Sequence, residues 1–493
     1  MSRDSMAARS FSAAKHLWIS NGLPASALSR LNLPPNANQS PNSSFRIGDA
    51  AQSSIGLAGL SAAHFHSLRT QIEQDVSVNA RHAVLEFHSE GWYTLDGQLP
   101  GSVWDSIAGI YETRDGYVRI HTNFPHHRRG ILNILEIPDS ADVTRDQVQK
   151  SLRQWAAEDF ESAAAGRGMC ATAFRTFEQW TAHPQALALS QTPPVQIIKI
   201  GDAPRREGGG SFHHPLEGVR VLDLSRVLAG PICGRTLAAH GADVLLVTSP
   251  HLPDLPTLDV DTSRGKRTTQ LDLNLEADRG KLKSLAADSD VFLQAYRPGG
   301  LEAKGFGADN LAELRPGIVI ANLRAWGWDG PWKDRRAFDS LVQTATGFNE
   351  TEGACFAEYS KSAFKPRPLP VQALDHAAGY LLAFGINAAL CKTMTEGGSW
   401  EVRVSLAAVG RWLRSLGNLS PDDAFGPGTR PLPPQTVPSQ REIADLSIGW
   451  VSADRKQKMT ALKHAAILSK TPVREGEASQ APIVLNAHSA EWL

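Results

Sequence analysis

The chain has 493 residues, 42% of them hydrophobic, with 50 lysines and arginines against 51 aspartates and glutamates. That length accommodates about three average domains with sizeable buried cores, and a net charge of -1 leaves no field to draw the chain to nucleic acid or an anionic membrane. No run of about 18 apolar residues stands out, so no membrane-spanning helix is expected.

At the N-terminus, MSRDSMAARSFSAAKHLW has no apolar core suited to a secretory signal. Its scattered basic and small residues leave a mitochondrial presequence open, but Asp4 argues against one, so a flexible terminus and a cytoplasmic protein are the expectation. The polar stretch NLPPNANQSPNSS then reads as a linker. Four cysteines, Cys170, Cys233, Cys355 and Cys391, form no CxxC pair and read as reduced thiols. His64 and His66, His126-His127 and His213-His214 lack a second ligand pair at a familiar spacing, so they read as surface or loop histidines with no metal.

An internal repeat sets the organisation. DAAQSSIGLAGLSAAHFHSLRTQIEQDVSV, from Asp49 to Val78, aligns without gaps onto DHAAGYLLAFGINAALCKTMTEGGSWEVRV, from Asp375 to Val404. Each predicts a helix rich in small apolar residues, a polar turn and a short strand whose VxV alternation suits a half-buried position. LSQTP at 189–193 recurs as LSKTP at 468–472, and the second copy is about 47 residues shorter between the VxV and LSxTP markers. The extra residues of the first copy include SIAGIYETRDGYVRIHTNF, two strands around a polar turn, and a helical stretch. The second copy has the proline-rich loop GPGTRPLPPQTVPSQ instead. Residues 1–84 thus hold the helix and strand of a first partial copy, 85–190 a small α+β domain, and 191–215 a glycine-rich linker. Residues 216–410 hold an α/β domain and 411–493 a C-terminal loop and return segment.

From Gly218 the text alternates strand, glycine turn and helix: GVRVLDL, LAGP, ICGRTLAAHGA, DVLLV, then DVFLQAY and GIVIANL. This predicts an α/β fold with a doubly wound, Rossmann-like parallel sheet that binds ligands beyond the strands' carboxyl ends. The first turn lacks GxGxxG, so no nicotinamide or flavin fingerprint is present.

The motifs LEGVRVLDLSRVLAGPICGRTLAAHGADVLLV, SRGKRTTQLDLN, QAYRPGG and RRAFDSLVQTATGF, in this order, resemble the class III CoA-transferases and the related α-methylacyl-CoA racemases. The resemblance covers roughly 216–410, with IYETRDGYVRI similar to the start of that family's small domain. It implies a transfer of CoA from an acyl-CoA to a small carboxylic acid, with the CoA thioester as substrate and no tightly bound cofactor. It also implies an interlocked homodimer or, here, a single-chain pseudo-dimer. The family's nucleophilic aspartate falls on Asp339, where a carboxylate is the one residue type that forms the required anhydride. Asp339 also opens a predicted helix, so a capping role is the alternative. The resemblance makes Arg264, Lys266, Arg267 and Arg297 candidates for CoA phosphates, against solvated loop charge. The turn at Leu228, Ala229 and Gly230 is a place for nucleotide to meet a helix start, and Trp326 packs either on the acyl chain or in the core.

Asp339 is accordingly expected at the mouth of a cleft, within reach of Arg264, Lys266 or Arg297. Two other functions stay open. An α-epimerase needs two positioned bases, but no histidine lies between His251 and Asp339, and the racemases' GHD reads Ala337-Phe338-Asp339. A catalytically degenerate homologue that binds CoA esters is the third reading, because function resides in the site and not the fold.

Overall fold

The computed structural model describes residues 3–35 and 41–493, so residues 36–40 of the polar linker lie outside the described residues. A seven-stranded sheet runs in the order Arg267–Gln270, Asp243–Thr248, Arg220–Leu224, Val291–Gln294, Val319–Arg324, Ser399–Ser405, Val195–Gly201. All neighbours are parallel except the last pair. The strands are apolar on both sides because both sides are covered. Val221, Val244, Leu293 and Val319 enter one core, while Leu222, Leu245, Phe292 and Ile320 enter the other. The doubly wound fold expected for this region is therefore present. Its order reverses between Arg220–Leu224 and Val291–Gln294, which opens a crevice at their carboxyl ends.

The two repeat segments form the helices Ile47–Thr70 and Ala373–Thr395, each followed by a strand, Val76–Val78 and Ser399–Ser405. The helices pack directly on each other, and Asn387 Nδ2 donates to Ala58 O across the contact at 3.2 Å. Small residues permit this closeness: a Cβ at Gly379 would lie 2.6 Å from Ala229 O on a third helix, Ala229–Ala239. Contrary to the sequence expectation, Ala373–Thr395 is long and apolar enough to cross a membrane, but 89% of that stretch is buried inside the protein. The N-terminus is also more ordered than expected. Residues Arg3–Ser20 form a helix, because Ala13/Leu17 and Ala14/Trp18 give it a buried stripe at four-residue spacing. Trp18 packs edge-on to His64 and against Phe384.

The halves before and after the glycine-rich linker interlock. Val195–Gly201, which the sequence reading placed inside the linker 191–215, is instead a strand that ends the first half and pairs antiparallel with Ser399–Ser405 of the second, with Val195 opposite Val404. Ala466–Leu468 of the second half pairs antiparallel with Val76–Val78 of the first, with Ala466 opposite Val78. The LSxTP markers themselves are not equivalent: Leu189 ends a short helix, whereas Leu468 ends a strand. The small unit of the first half is the sheet Gly109–Glu112, Tyr117–Ile120, Ala171–Ala173. Its helices share a core of Ile107, Val118, Ile120, Leu152 and Phe160. After its proline-rich loop the second half has a hairpin that the sequence reading did not foresee, Ser447–Val451 with Lys458–Leu462, extended by Thr94–Leu95. Hairpin strands of five residues interrupted by a charged turn give too weak a pattern to read against the preceding prolines.

Since each half closes a sheet of the other, cutting the linker should not separate them. With a protease site inserted at Gly208–Gly210, an exposed stretch, the cleaved protein should elute from a sizing column as one particle. It should resolve into two fragments only in denaturant, and separation in native buffer would refute the interlock.

Candidate active site

Asp339 is the first residue of the helix Asp339–Ala345 and has no exposed surface. It does not cap that helix. Its Oδ2 accepts the backbone N–H groups of Leu374 (2.7 Å) and Asp375 (2.9 Å), in the first turn of the second repeat helix. Those amides have no partner within their own helix, so a carboxylate from another segment caps it and meets the positive end of its dipole. Gln343, one turn on, donates to Oδ1. Its own oxygen accepts Leu369 N–H and Asn349 Nδ2, both at 3.1 Å, which leaves its NH2 facing Asp339.

Asp375 lies beside Asp339 and lines two cavities. Burial pushes Asp339 up to about 6, against the pull of the Asp375 amide, Gln343, the Leu374 amide and Arg119. Burial, then the charges of Asp339 and Glu90, push Asp375 well above the ordinary carboxylate range. Two adjacent carboxyls cannot both ionise cheaply. The hydrogen bonds favour the ionised form of Asp339, and burial favours the neutral form of Asp375.

The smaller cavity, about 270 Å³, occupies the crevice at the carboxyl ends of the parallel strands. Arg226, Arg297, Arg324, Lys333, Arg335 and Arg336 line it. Arg324 and Arg335 have distant carboxylate partners at 3.4 and 3.8 Å, so the wall is strongly basic and suited to phosphate oxygens. Val227 on this wall holds φ 73°, a costly conformation for a β-branched residue that turns the chain into Leu228 and the helix start. A larger cavity, about 820 Å³, opens on the other side of Phe338 and Asp375, between the small unit and the segment around Leu369 and Val371.

Of the residues singled out from sequence, the structure brings Leu228, Ala229, Gly230 and Arg297 to the basic cavity, next to Phe338 and Asp375. Asp339 lies behind Phe338, not at a cleft mouth, because its carboxylate is drawn inward to the helix amides. The RGKR cations do not join it. Arg264 is held by Asp261 at 2.9 Å and Arg267 by Asp243 at 2.9 Å. Lys266 Nζ, fully buried, donates to Asp223 (2.8 Å) and Pro231 O (2.9 Å). Gly234 makes room for that pair, since a Cβ there would lie 2.2 Å from Asp223 Oδ2. Their charge is spent inside the protein, as buried lysine and arginine require. Trp326 sits in an aromatic cluster with Trp332 and Trp180 and faces a separate cavity. His127, read as a surface histidine, is buried and takes a hydrogen bond from Arg336 at 3.0 Å. The sequence reading missed Arg226, Arg336 and Asp375 as site residues, although the first two lie inside the quoted motifs and Asp375 opens the second repeat.

Residues 216–426 match the model of CoA-transferase family III. The chain is 28% identical over 331 residues to an acetyl-coenzyme A transferase of Hypoxylon pulicicidum, covering 63% of this chain and 55% of that protein. It is 28% identical to an acyl-CoA transferase of Gibberella moniliformis, covering 72% and 68%. It is 34% identical to a probable fatty acyl-CoA transferase of Mycobacterium tuberculosis, covering 39% and 50%. The chain thus spans little more than half the length of the first and half that of the third. A crystal structure of a Mycobacterium tuberculosis protein is 32% identical over 41% of this chain and 58% of its own, with a TM-score of 0.37.

The upward shift of Asp375 makes a stability prediction. A carboxyl whose folded pKa is raised above its unfolded value gives up stability as pH climbs from the unfolded pKa, near 4, towards the folded one. Asp375→Asn removes that loss and keeps the backbone N–H bound to Asp339. The variant should unfold at higher temperature than wild type at pH 8, with a smaller gap at pH 5. Paired thermal melts at the two pH values measure it.

Proposed function

We propose that this chain, whose residues 216–426 match the model of CoA-transferase family III, moves coenzyme A from an acyl-CoA thioester to a carboxylic acid, with Asp339 as nucleophile. The observation that supports it best is the seating of Asp339: a buried carboxylate whose Oδ2 accepts two helix amides, beside Asp375, whose neutral form burial favours. The basic cavity suits the nucleotide phosphates of CoA, with Arg226, Arg297 and Arg336 as the cations nearest the Leu228 turn. The larger cavity takes the acyl group. One chain supplies both halves of this site, as a single-chain pseudo-dimer.

The geometry gives each Asp339 oxygen a different task. Oδ1, bonded only by Gln343, attacks the thioester carbonyl; the C–S bond breaks and CoA leaves as thiolate, giving a mixed anhydride. The thiolate then attacks the aspartyl carbonyl, expelling the first acid as its carboxylate and leaving CoA on Asp339 as a thioester. During that attack the negative charge develops on Oδ2, which already faces the Leu374 and Asp375 N–H groups. They serve as an oxyanion hole formed before the reaction. A second acid's carboxylate repeats the sequence in reverse, regenerating Asp339 and releasing a new acyl-CoA. Access requires the Phe338 ring, stacked on His121 at 3.9 Å, to give way.

A second reading, α-epimerisation of an acyl-CoA, is favoured by one observation: Asp375 faces both cavities and pairs an acid with the base Asp339. Incubating acyl-CoA with the protein in D2O separates the two, since only epimerisation exchanges the α-proton.

Three measurements test the transfer reading. After incubation with acyl-CoA and trapping by hydroxylamine, the Asp339 peptide should gain mass in wild type and not in Asp339→Asn. Asp339→Asn should lose transfer entirely while melting close to wild type, because the amide oxygen still accepts the two N–H groups. Asp339→Ala should cost about 1–2 kcal/mol as well, since those amides lose their acceptor. Transfer by wild type should fall as pH drops through about 6, where Asp339 takes up its proton. No mass gain with several acyl-CoAs, alongside CoA binding, would establish a CoA-ester binder without catalysis.

A further inference from the structure

The larger cavity contains a feature that the transfer chemistry above does not use. In the strand Tyr117–Ile120, Val118 and Ile120 enter the core of the small unit, so by alternation Arg119 and the following His121 face the opposite way. Both line the cavity. Arg119 is only 6% exposed. Among the described residues it has no carboxylate within ion-pair distance, and its Nε has no hydrogen-bond partner. Its guanidinium rests 5.4 Å from the Trp104 ring centroid, and Trp104 also meets His121 edge-on. Burial draws its pKa down only to about 10, so it keeps its charge at neutral pH.

His121 points the same way. Its Nδ1 lies 3.3 Å from Ser340 Oγ, so with the hydroxyl donating, the proton sits on Nε2, which has no partner among the described residues. Arg145 adds a second cation to this wall; it donates to Ala108 O at 2.6 Å and has no carboxylate partner among the described residues. The carboxyls that face the cavity leave these donors free. Glu90 is engaged by His376 at 3.1 Å and His88 at 3.3 Å, and burial favours the neutral form of Asp375. A buried, unpaired guanidinium is costly unless an anion reaches it. Val103, Ile110, Leu258, Leu369 and Val371 give the wall a large apolar share, beside the uncharged polar Ser102, Asn123, Thr257, Gln372 and Gln435.

We infer that Arg119, with the His121 ring beside it on the same wall, anchors the carboxylate of the acid that exchanges CoA, and that this acid carries a bulky apolar body. The inference rests on the transfer reading for its role in turnover. The guanidinium of Arg119 offers a carboxylate its terminal N–H groups in a planar fork, which a point cation does not. They hold it on the Asp339 side of the cavity: His121 stacks on Phe338, the residue before Asp339, and the Arg119 charge is felt by the Asp339 carboxyl. A volume of about 820 Å³ with apolar walls exceeds what a short polar acid fills and suits a medium-chain or aromatic one. Arg119 is thus a positioning and specificity residue for the acid, distinct from the cations around the phosphates.

Octanoate is the probe, titrated calorimetrically into the full chain. Wild type should bind octanoate about tenfold or more tightly than octanamide, since one charge-assisted pair contributes that factor. It should also prefer octanoate over acetate, because the apolar walls contribute only to the longer acid. Arg119→Gln should weaken octanoate by about tenfold or more, with Arg119→Lys intermediate and CoA affinity unchanged in both. In turnover the KM for the acid should rise while trapping of the donor acyl group on Asp339 is kept. Equal affinity of wild type for octanoate and octanamide, or for octanoate and acetate, overturns the inference without any variant. Octanoate affinity unchanged in Arg119→Gln overturns it as well. Failure of the transfer reading looks different: no mass gain on Asp339, with the octanoate preference and its dependence on Arg119 intact.

Discussion

The packing of the two repeat helices on each other is the contact on which the rest of the structure depends. Ile47–Thr70 and Ala373–Thr395 are almost wholly buried and built from small residues that let their backbones approach. Helix Ala229–Ala239 presses on the second from another side, with Gly379 under Ala229 O. Gripped in this way, the first turn of Ala373–Thr395 has a fixed position relative to the Leu228 turn. The amides that receive Asp339 are therefore set by the core, not by a loop. A carboxylate held this way needs no reorganisation when charge shifts between its oxygens, which is the condition for electrostatic catalysis in a dry site.

Both halves of the chain contribute residues to the candidate site. Asp339, Asp375 and the Leu228 turn come from the second half, while Arg119, His121 and Glu90 come from the first. The interlocked strands Val195–Gly201 and Ala466–Leu468 hold the two sets together. Buried charge is handled in two ways. Asp223 with Lys266, and Asp261 with Arg235 and Arg264, are neutralised inside the protein, as structural ion pairs must be. Around the cavities, cations are left with weak or no carboxylate partners, and that imbalance marks where anions are received.

Much of the fold was legible because periodicity and turn chemistry are local. The alternation of GVRVLDL, the glycine turn and the repeat each predict an element that is present. Asp339 was legible from its motif, and its place at a helix start from the sequence around it. Which helix its carboxylate caps was not, because Leu374 and Asp375 lie 35 and 36 residues away and no local pattern encodes that approach. The RGKR loop shows the opposite failure. Four charged or flexible residues read as exposed donors, but Asp223 and Asp243 reach Lys266 and Arg267 only through the sheet, and Asp261, three residues before Arg264, is turned onto it by the end of a short helix. Arg119 was hidden for a simpler reason: in YVRIH the alternation shows that it faces away from Val118, but not that a cavity lies there.

Joining the two halves on one polypeptide has a consequence for what each position is free to be. In a symmetric pair of identical chains, every residue at the shared surface serves both sides of a two-fold axis, and a change at one place is made twice. Here Asp49 and Asp375 begin matching helices yet need not do the same job. Asp375 stands between the two cavities, whereas Asp49 accepts a hydrogen bond from Ser10 at 2.8 Å and lies 3.7 Å from Arg46, away from them. Asymmetry lets one aspartate face the cavities while its twin becomes a tie for the N-terminal helix.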